Sequence, residues 1–346
     1  MIFIEILTNI WVNDLTGKIA LIDRYGAFLG VKEGRFQLKV GGKVVWELAP
    51  VELDSIVFLV DGASVSAAAI YLAVTFGIDI VFMIGHRPTA RVVQAPYGST
   101  LRNWLFQLNT YRSKSKRAVL AKLFVEGKVH NQRVVLMEFY RLFRASGKRG
   151  WRSLLRAIDD IEKIQNKLSK IDSVDGARQV EAEVAKIYWS AVAKIIPEEL
   201  GFERRITRAR RIPGEGVDSF NIALNIGYSA LLKEVWRTIF IVGLNPYIGF
   251  LHKPRAGKMA LAFDLMEEFR PICVDRPLIK LARRNSSIFN KLKENDREAV
   301  REVWRAVMSR IHEGKKPISP VILEQARKLV RHFRGTDTYK PYKSRW

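Results

Sequence analysis

The hydrophobic period of the chain changes once, near Pro96, and that change restricts what it can fold into. Before it, Lys18-Ile-Ala-Leu-Ile, Phe36-Gln-Leu-Lys-Val and Val44-Val-Trp-Glu-Leu are short runs holding β-branched and aromatic residues, the signature of strands. Gly41-Gly42 joins the second to the third as a hairpin, because glycine accepts the positive φ that such a turn needs. Ser55 to Val60 reads as a further strand, Val65 to Phe76 as a helix and Ile78 to Ile84 as a strand. Beyond Pro96 the apolar residues recur at helical spacing. Helices are predicted over Leu101–Val125, Asn131–Ser146, Trp151–Leu168, Ser173–Ile196, Ser219–Ile241, Gly257–Phe269, Asp296–His312 and Pro320–Phe333. The fold class is therefore α+β. A small β-rich N-terminal domain (1–95) precedes a larger all-α domain (96–334), and Gly335–Trp346 reads as a flexible basic tail.

Charge separates the same two parts. Of 346 residues, 58 are Lys or Arg and 35 are Asp or Glu, a net charge of +23. Residues 1–95 hold eight basic and nine acidic side chains, so the remainder carries the whole excess. A near-neutral front on a strongly basic body points to a polyanion, of which nucleic acid is the commonest. Hydrophobic residues at 48% fill real cores and exclude wholesale disorder. The single cysteine, Cys273, excludes a disulfide scaffold and a Cys-ligated zinc module, and makes a reducing compartment the expectation. The start has no basic segment before its apolar residues. The stretch Ala67–Ile84 is interrupted by Gly77 and Asp79, and Val235–Leu251 by Arg237, Gly243 and Pro246. No membrane association is expected, and the cytoplasm is the expected location.

There is no P-loop, no G-x-G-x-x-G after a strand, no H-E-x-x-H and no G-x-S-x-G, which disfavours nucleotide-driven, dinucleotide, zincin and serine-hydrolase chemistry. Four other places hold candidates. Val180, Val184, Ile187, Tyr188, Ala191 and Ile195 share one helical arc, and Glu181 lies roughly 65° from its centre, nearer than Glu183. A carboxylate bordering a buried stripe is costly unless it pairs with a cation or holds a metal, and both readings stand. Asn221, Asn225 and Tyr228 form a polar line on an apolar helix behind a natural N-cap, Asp218, either as an interhelix network or as support for a site. Gly243-Leu-Asn-Pro-Tyr-Ile-Gly-Phe-Leu-His252 ends a helix, turns, and presents a histidine ahead of a helix carrying Asp264, Glu267 and Glu268. One histidine with nearby carboxylates is a ligand set for Mg²⁺ or Mn²⁺. Finally, Arg204, Arg205, Arg208, Arg210 and Arg211 put five arginines in eight residues, suited to reading phosphates. Arg112-Ser-Lys-Ser-Lys-Arg117 and Lys148-Arg-Gly-Trp-Arg152 add further basic patches.

Four segments occur in a fixed order: Val180-Glu-Ala-Glu-Val-Ala-Lys-Ile-Tyr-Trp189, Asp218-Ser-Phe-Asn-Ile-Ala-Leu-Asn-Ile-Gly-Tyr228, Gly243 to His252, and Leu261-Ala-Phe-Asp-Leu-Met-Glu-Glu-Phe-Arg-Pro271. Together they resemble the CRISPR-associated spacer-acquisition integrase, the first Cas protein family, over nearly the whole chain. The resemblance implies a divalent-metal-dependent DNA endonuclease and integrase acting as a homodimer, with the β-rich domain in dimerisation. It implies Glu181, His252 and Glu267 as ligands of Mg²⁺ or Mn²⁺, with Asp264 a further acidic member of the catalytic set. It implies double-stranded, branched or 3′-overhanging DNA as substrate, and a small second Cas protein as partner in inserting spacers into a CRISPR array. The chain has Ala182 where the family often has Gly, and Gly214-Glu-Gly-Val before Asp218 where the family often has a Pro-Pro lead-in. The rival readings are a non-catalytic basic DNA-binding scaffold, which would bind DNA without needing metal, and an unrelated metal-dependent nuclease of RNA.

Overall fold

The computed structural model describes residues 11–13, 16–84, 87–92, 99–206, 216–255 and 257–345. The chain opens with β1 (Trp11–Asn13), β2 (Thr16–Ile22), β3 (Ala27–Lys32), β4 (Arg35–Val40), β5 (Lys43–Leu48), β6 (Leu53–Phe58) and β7 (Ser64–Val65). Helix α1 (Ala67–Thr75), β8 (Asp79–Ile84) and β9 (Arg87–Val92) follow. The strands form two sheets. One has the order β1-β2-β6-β8-β9, parallel through β2, β6 and β8 and antiparallel at both edges. The other has the order β5-β4-β3-β7, an antiparallel meander with β7 parallel to β3. Their apolar residues meet in one core holding Ile22, Leu29, Phe36, Leu38, Ile56, Phe58 and Ile80, with Ala69 and Ala73 of α1.

Gly41 and Gly42 have φ of 56° and 79°, the pair of left-handed residues that closes a two-residue hairpin, and Val40 pairs with Lys43 across it. Strands β1, β3, β7 and β9 were not expected from sequence, and Val65, expected to open a helix, lies in β7. Gly30 weakens the pattern of β3, and a Cβ there would stand 2.9 Å from the Phe28 ring. Pro88 breaks the pattern of β9, which takes the edge position where a missing N–H is tolerated.

The helices are α2 (Ser99–Arg112), α3 (Lys114–Ala145), α4 (Trp151–Lys167), α5 (Val174–Ala193), α6 (Ser219–Ile241), α7 (Ala260–Met266), α8 (Arg276–Arg284), α9 (Ser287–Lys291), α10 (Arg297–His312) and α11 (Ser319–Arg334). A β-rich N-terminal part followed by a helical part is the observed class. By contacts the chain divides into a unit running to Phe106 with Trp236–Leu244, and a second unit of Gln107–Val235 with Asn245–Trp346. In the first, Asp79 accepts a 2.7 Å hydrogen bond from Thr100 and pairs at 2.6 Å with Arg91, whose guanidinium lies over Phe240. That contact explains why the end of α6 belongs with the strands. Among the described residues no helix is long and apolar enough to cross a membrane.

Besides the short helix α9, which was not expected, and α7, which is shorter than Gly257–Phe269, the second unit differs from expectation at three places. The helices expected over 101–125 and 131–146 break instead at Ser113, whose hydroxyl caps Lys116 N–H, and α3 then runs unbroken for 32 residues. The misleading signal was Gly127, which costs roughly 1 kcal/mol inside a helix. It is there because a Cβ would stand 2.9 Å from Pro341 and 3.0 Å from Glu268. Second, α8 was not expected; Pro271 and Pro277 flank its start, and proline is costly inside a helix. A π turn over Pro271–Asp275 absorbs the first, with Arg276 N–H bonding back to Pro271 O, and the second falls in the first turn of α8. Third, the tail is not free through Arg345. Tyr339 is 1% exposed, and Asn131 of α3 accepts from Ser344 N–H and donates to Tyr342 O. Three donors (Tyr339 O–H, Gln325 Nε2 and Tyr342 N–H) converge on the buried Glu268 carboxylate. A basic, polar composition hid these aromatic anchors.

Candidate active site

The loop Asn245–His252 is held by its own backbone groups. Gln107 accepts from Asn245 N–H and donates to the carbonyls of Asn245 and Ile248, Arg117 donates to Phe250 O, and Arg178 donates to Leu251 O. Gly249 has no alternative residue, since a Cβ would lie 2.6 Å from Ala260 backbone and side chain. The fully buried Asp264 takes what remains. Its Oδ2 accepts from Phe250 and Leu251 N–H, and its Oδ1 from His252 N–H. The same Oδ1 lies 2.7 Å from His252 Nδ1. A carboxylate acceptor there fixes the proton on Nδ1 and leaves Nε2 as the basic nitrogen of a partly exposed ring. Asp264 therefore positions His252. Its oxygens are committed to the loop.

Glu267 faces elsewhere. Glu267 caps the C-terminus of α7 with helical backbone angles (φ −57°, ψ −36°), its N–H bonding back to Asp264 O, and its side chain meets Lys128 of α3. The Nζ of Lys128 lies 2.7 Å from Glu267 Oε2 and 2.5 Å from Glu181 Oε1 of α5, so three helices meet at one ammonium. Arg270 pairs with the other Glu267 oxygen at 3.2 Å. Burial pushes the Glu267 carboxyl up, but Arg270, Lys128 and His252 outweigh it and hold it at about 2. Lys128 is driven down by burial and up, by more, by Glu181 and Glu267, so it stays charged. Glu183 points away and pairs with Lys167 at 3.6 Å on the surface.

The polar line on α6 joins this cluster. Asn221 is saturated: it accepts from Arg205 and Ile206 N–H and donates to Arg204 O and Asp218. Arg205 also bonds Asn225 at 2.7 Å, and its guanidinium and that of Arg270 lie 5.3 Å and 4.7 Å from the Tyr228 ring centre. Tyr228 and Tyr188 both donate to Asp275, whose carboxyl burial raises to about 6 against those hydrogen bonds. A continuous polar path thus runs from Glu267 through Arg270 and Tyr228 to Arg205. Arg204 is exposed, while Arg208, Arg210 and Arg211 lie outside the described residues. A groove of about 920 Å³ in the same unit is lined by Arg141, Arg276, Lys280, Arg283, Arg284 and Arg345, with Glu138 the one acidic side chain among the described residues that line it.

Sequence reasoning missed Lys128, Arg270 and Asp275. Lys128 fell in the gap left between two predicted helices. Arg270 sat in plain view, three residues after Glu267, the spacing at which opposite charges pair on a helix. Asp275 gave no signal, because the π turn that aims it inward was not expected.

Among the described residues no group of three or more His, Cys, Asp and Glu is gathered closely enough to hold a metal ion. The chemistry of the donors nevertheless suits a hard divalent cation: two carboxylates and an imidazole with its Nε2 open. Glu267 Oε2 is buried without a hydrogen bond, despite its contact with Lys128. In donor chemistry these residues fit such a cation.

The chain is similar to known proteins over most of its length. The family model described as CRISPR associated protein Cas1 matches residues 20–302. A relative from Saccharolobus solfataricus, named CRISPR-associated endonuclease Cas1 1, is 38% identical over 99% of this chain and 87% of its own length. The fold resembles that of a casposase bound to integration product, with a TM-score of 0.77 and 23% identity over 94% of this chain and 98% of that one. It also resembles a chain of a partial Cas6–RT–Cas1–Cas2 complex, with a TM-score of 0.71 and 18% identity over 96% and 100% of the two chains. The chain belongs to the Cas1 family of CRISPR-associated proteins.

Proposed function

We propose that this protein is a divalent-metal-dependent DNA endonuclease and integrase of CRISPR adaptation, inserting short DNA by attack of 3′-hydroxyls on phosphodiesters. One observation carries the reading: Glu181 and Glu267, from separate helices, converge on a single cation, and Glu267 is within the electrostatic reach of His252, whose tautomer Asp264 sets. Glu181, Glu267 and His252 Nε2 would hold Mg²⁺ or Mn²⁺, which when bound would neutralise charge developing on the phosphoryl oxygens. Arg270 keeps Glu267 ionised and ready to ligate. Tyr228 and Arg205, tied to Asn221 and Asn225, brace Arg270 from behind. Names of related proteins support the chemistry: an endonuclease in one case, a casposase on its integration product in the other.

The test is strand transfer with a branched integration-intermediate DNA, in Mn²⁺ and in EDTA, comparing wild type with His252→Ala. Metal-dependent joining, lost in the variant, is expected; joining that survives EDTA or a folded His252→Ala protein overturns the reading. Asp264→Asn, which loses an anionic acceptor but keeps the shape, should lower Mn²⁺ affinity or joining by about 10–100-fold, because ligand orientation is worth that much. Calorimetric titration with Mn²⁺ checks it.

DNA would track the basic groove on α8. Lys280 and Arg284 are exposed lining residues of the groove, and charge reversal at both should weaken binding and flatten its salt dependence by about one to two in log–log slope. An unchanged slope in filter-binding titrations would exclude the groove from the path. The protein would act with a small second Cas protein, as the Cas1–Cas2 complex of its structural relative suggests, and would itself be a homodimer. Val44 and Val45, about half exposed on the edge strand β5, offer a surface for pairing copies, which light scattering would detect. The scaffold reading draws on Lys128, which already neutralises the two carboxylates. It predicts DNA binding indifferent to EDTA and no joining even with the partner supplied.

A further inference from the structure

We propose that Lys128 is a resident counter-ion of this site: its ammonium occupies the position between Glu181 and Glu267, and a divalent cation binds by displacing it. The inference rests on the reading of those carboxylates as metal ligands and adds a positioning role for a residue outside the ligand set.

Three observations carry it. Lysine is almost never buried unless paired, and this side chain is only 12% exposed, with both of its acidic contacts on other helices. Both contacts are short: Lys128 Nζ lies 2.5 Å from Glu181 Oε1 and 2.7 Å from the buried Glu267 Oε2, so one ammonium holds an oxygen of each carboxylate. The charges also balance: Glu181 and Glu267 face Lys128 and Arg270. A divalent ion added to that set would leave two uncompensated positive charges in a desolvated place, which is strongly unfavourable. Release of the lysine halves that excess. Because Lys128 projects from α3 on a flexible stem of four methylenes, it can leave by changing rotamer while α5 and α7 stay where they are.

The arrangement lets the metal-free protein stay folded without bare carboxylates, and sets a threshold below which metal is not retained. Removing the competitor should therefore strengthen metal binding, whereas a residue that merely supports the fold would weaken it when removed. Lys128→Met should bind Mn²⁺ about tenfold tighter than wild type or better, since a unit charge at this range is removed. Lys128→Arg, which keeps the charge, should bind no tighter than wild type. Calorimetry or the loss of the free-Mn²⁺ paramagnetic signal reads both. Metal-free Lys128→Met should also melt lower than wild type and gain more from added Mn²⁺. A second readout needs no variant: in wild type, acylation of Lys128 followed by mass spectrometry should rise several-fold on saturation with Mn²⁺.

Equal or weaker Mn²⁺ binding by Lys128→Met, or acylation indifferent to Mn²⁺, overturns the assignment. Glu267→Ala is the control that separates the two claims. If it leaves Mn²⁺ affinity unchanged, the ligand reading fails and the counter-ion role with it. If it weakens binding while Lys128→Met does not tighten it, the counter-ion role fails alone.

Discussion

Replacing Glu267 by alanine should reduce strand cleavage and joining about a thousandfold or more, the several kcal/mol that a positioned cation contributes to such a transition state. DNA binding should change little, because the exposed cations that would meet phosphates lie along α8 and outside the carboxylate cluster. Glu267 is singled out over Asp264 by what each touches. Asp264 spends its oxygens on the loop 250–252, while Glu267 keeps one oxygen for Arg270 and one without a hydrogen bond. Glu267→Asp should recover part of the activity, since a shorter carboxylate keeps the charge but not the reach. Single-turnover rates with a preassembled branched DNA measure the effect, and rates within tenfold of wild type for folded Glu267→Ala would contradict it.

The neighbouring carboxylate should govern stability instead. Glu268 lies among Tyr339, Gln325 and the tail backbone, and Glu268→Leu strips an acceptor from three buried donors, costing about 3–5 kcal/mol at pH 4.5. Burial raises its carboxyl to about 7, against the hydrogen bonds from Tyr339, Tyr342 and Gln325 and the nearby Lys328. The sign follows from proton counting. Between its ordinary value of 4.5 and about 7, folded Glu268 holds a proton that the unfolded chain has released, so raising the pH destabilises the fold across that window. The penalty of Glu268→Leu should therefore shrink by about 3 kcal/mol from pH 4.5 to pH 8. Glu267 and Asp275 titrate in both proteins and cancel in the difference. Urea denaturation of the pair at both pH values reads this directly; a penalty independent of pH would contradict it. In the variant, limited proteolysis should also cut first at Lys340 and Lys343.

Most of the helical architecture was legible because it rests on long apolar periods. α4, α5, α6, α10 and α11 lie within a few residues of where the sequence put them. What was not legible depends on close approach. Gly127 looks like a helix break until Pro341 and Glu268 are seen against it, and the false break removed Lys128 from any helix face. Pro271 looks like a terminator until the π turn accommodates it, and that hid Asp275 and the basic face of α8. The spacing of Asp264 and Glu267 suggested one shared face. They nevertheless have different partners, Asp264 meeting His252 and Glu267 meeting Lys128, which spacing along one helix does not disclose. Within the arginine run, Arg205 is built into the wall beside Asn221 and Asn225, a commitment that residue type alone does not disclose.

The most direct test of the account is an anomalous-scattering map from crystals of the wild-type protein soaked in Mn²⁺. The account predicts one peak in this unit at ligand distance, about 2.1 Å, from Glu181, Glu267 and Nε2 of His252, with Lys128 turned away from both carboxylates. Manganese found only elsewhere, with Lys128 still joining Glu181 to Glu267 in protein that joins strands, would contradict it.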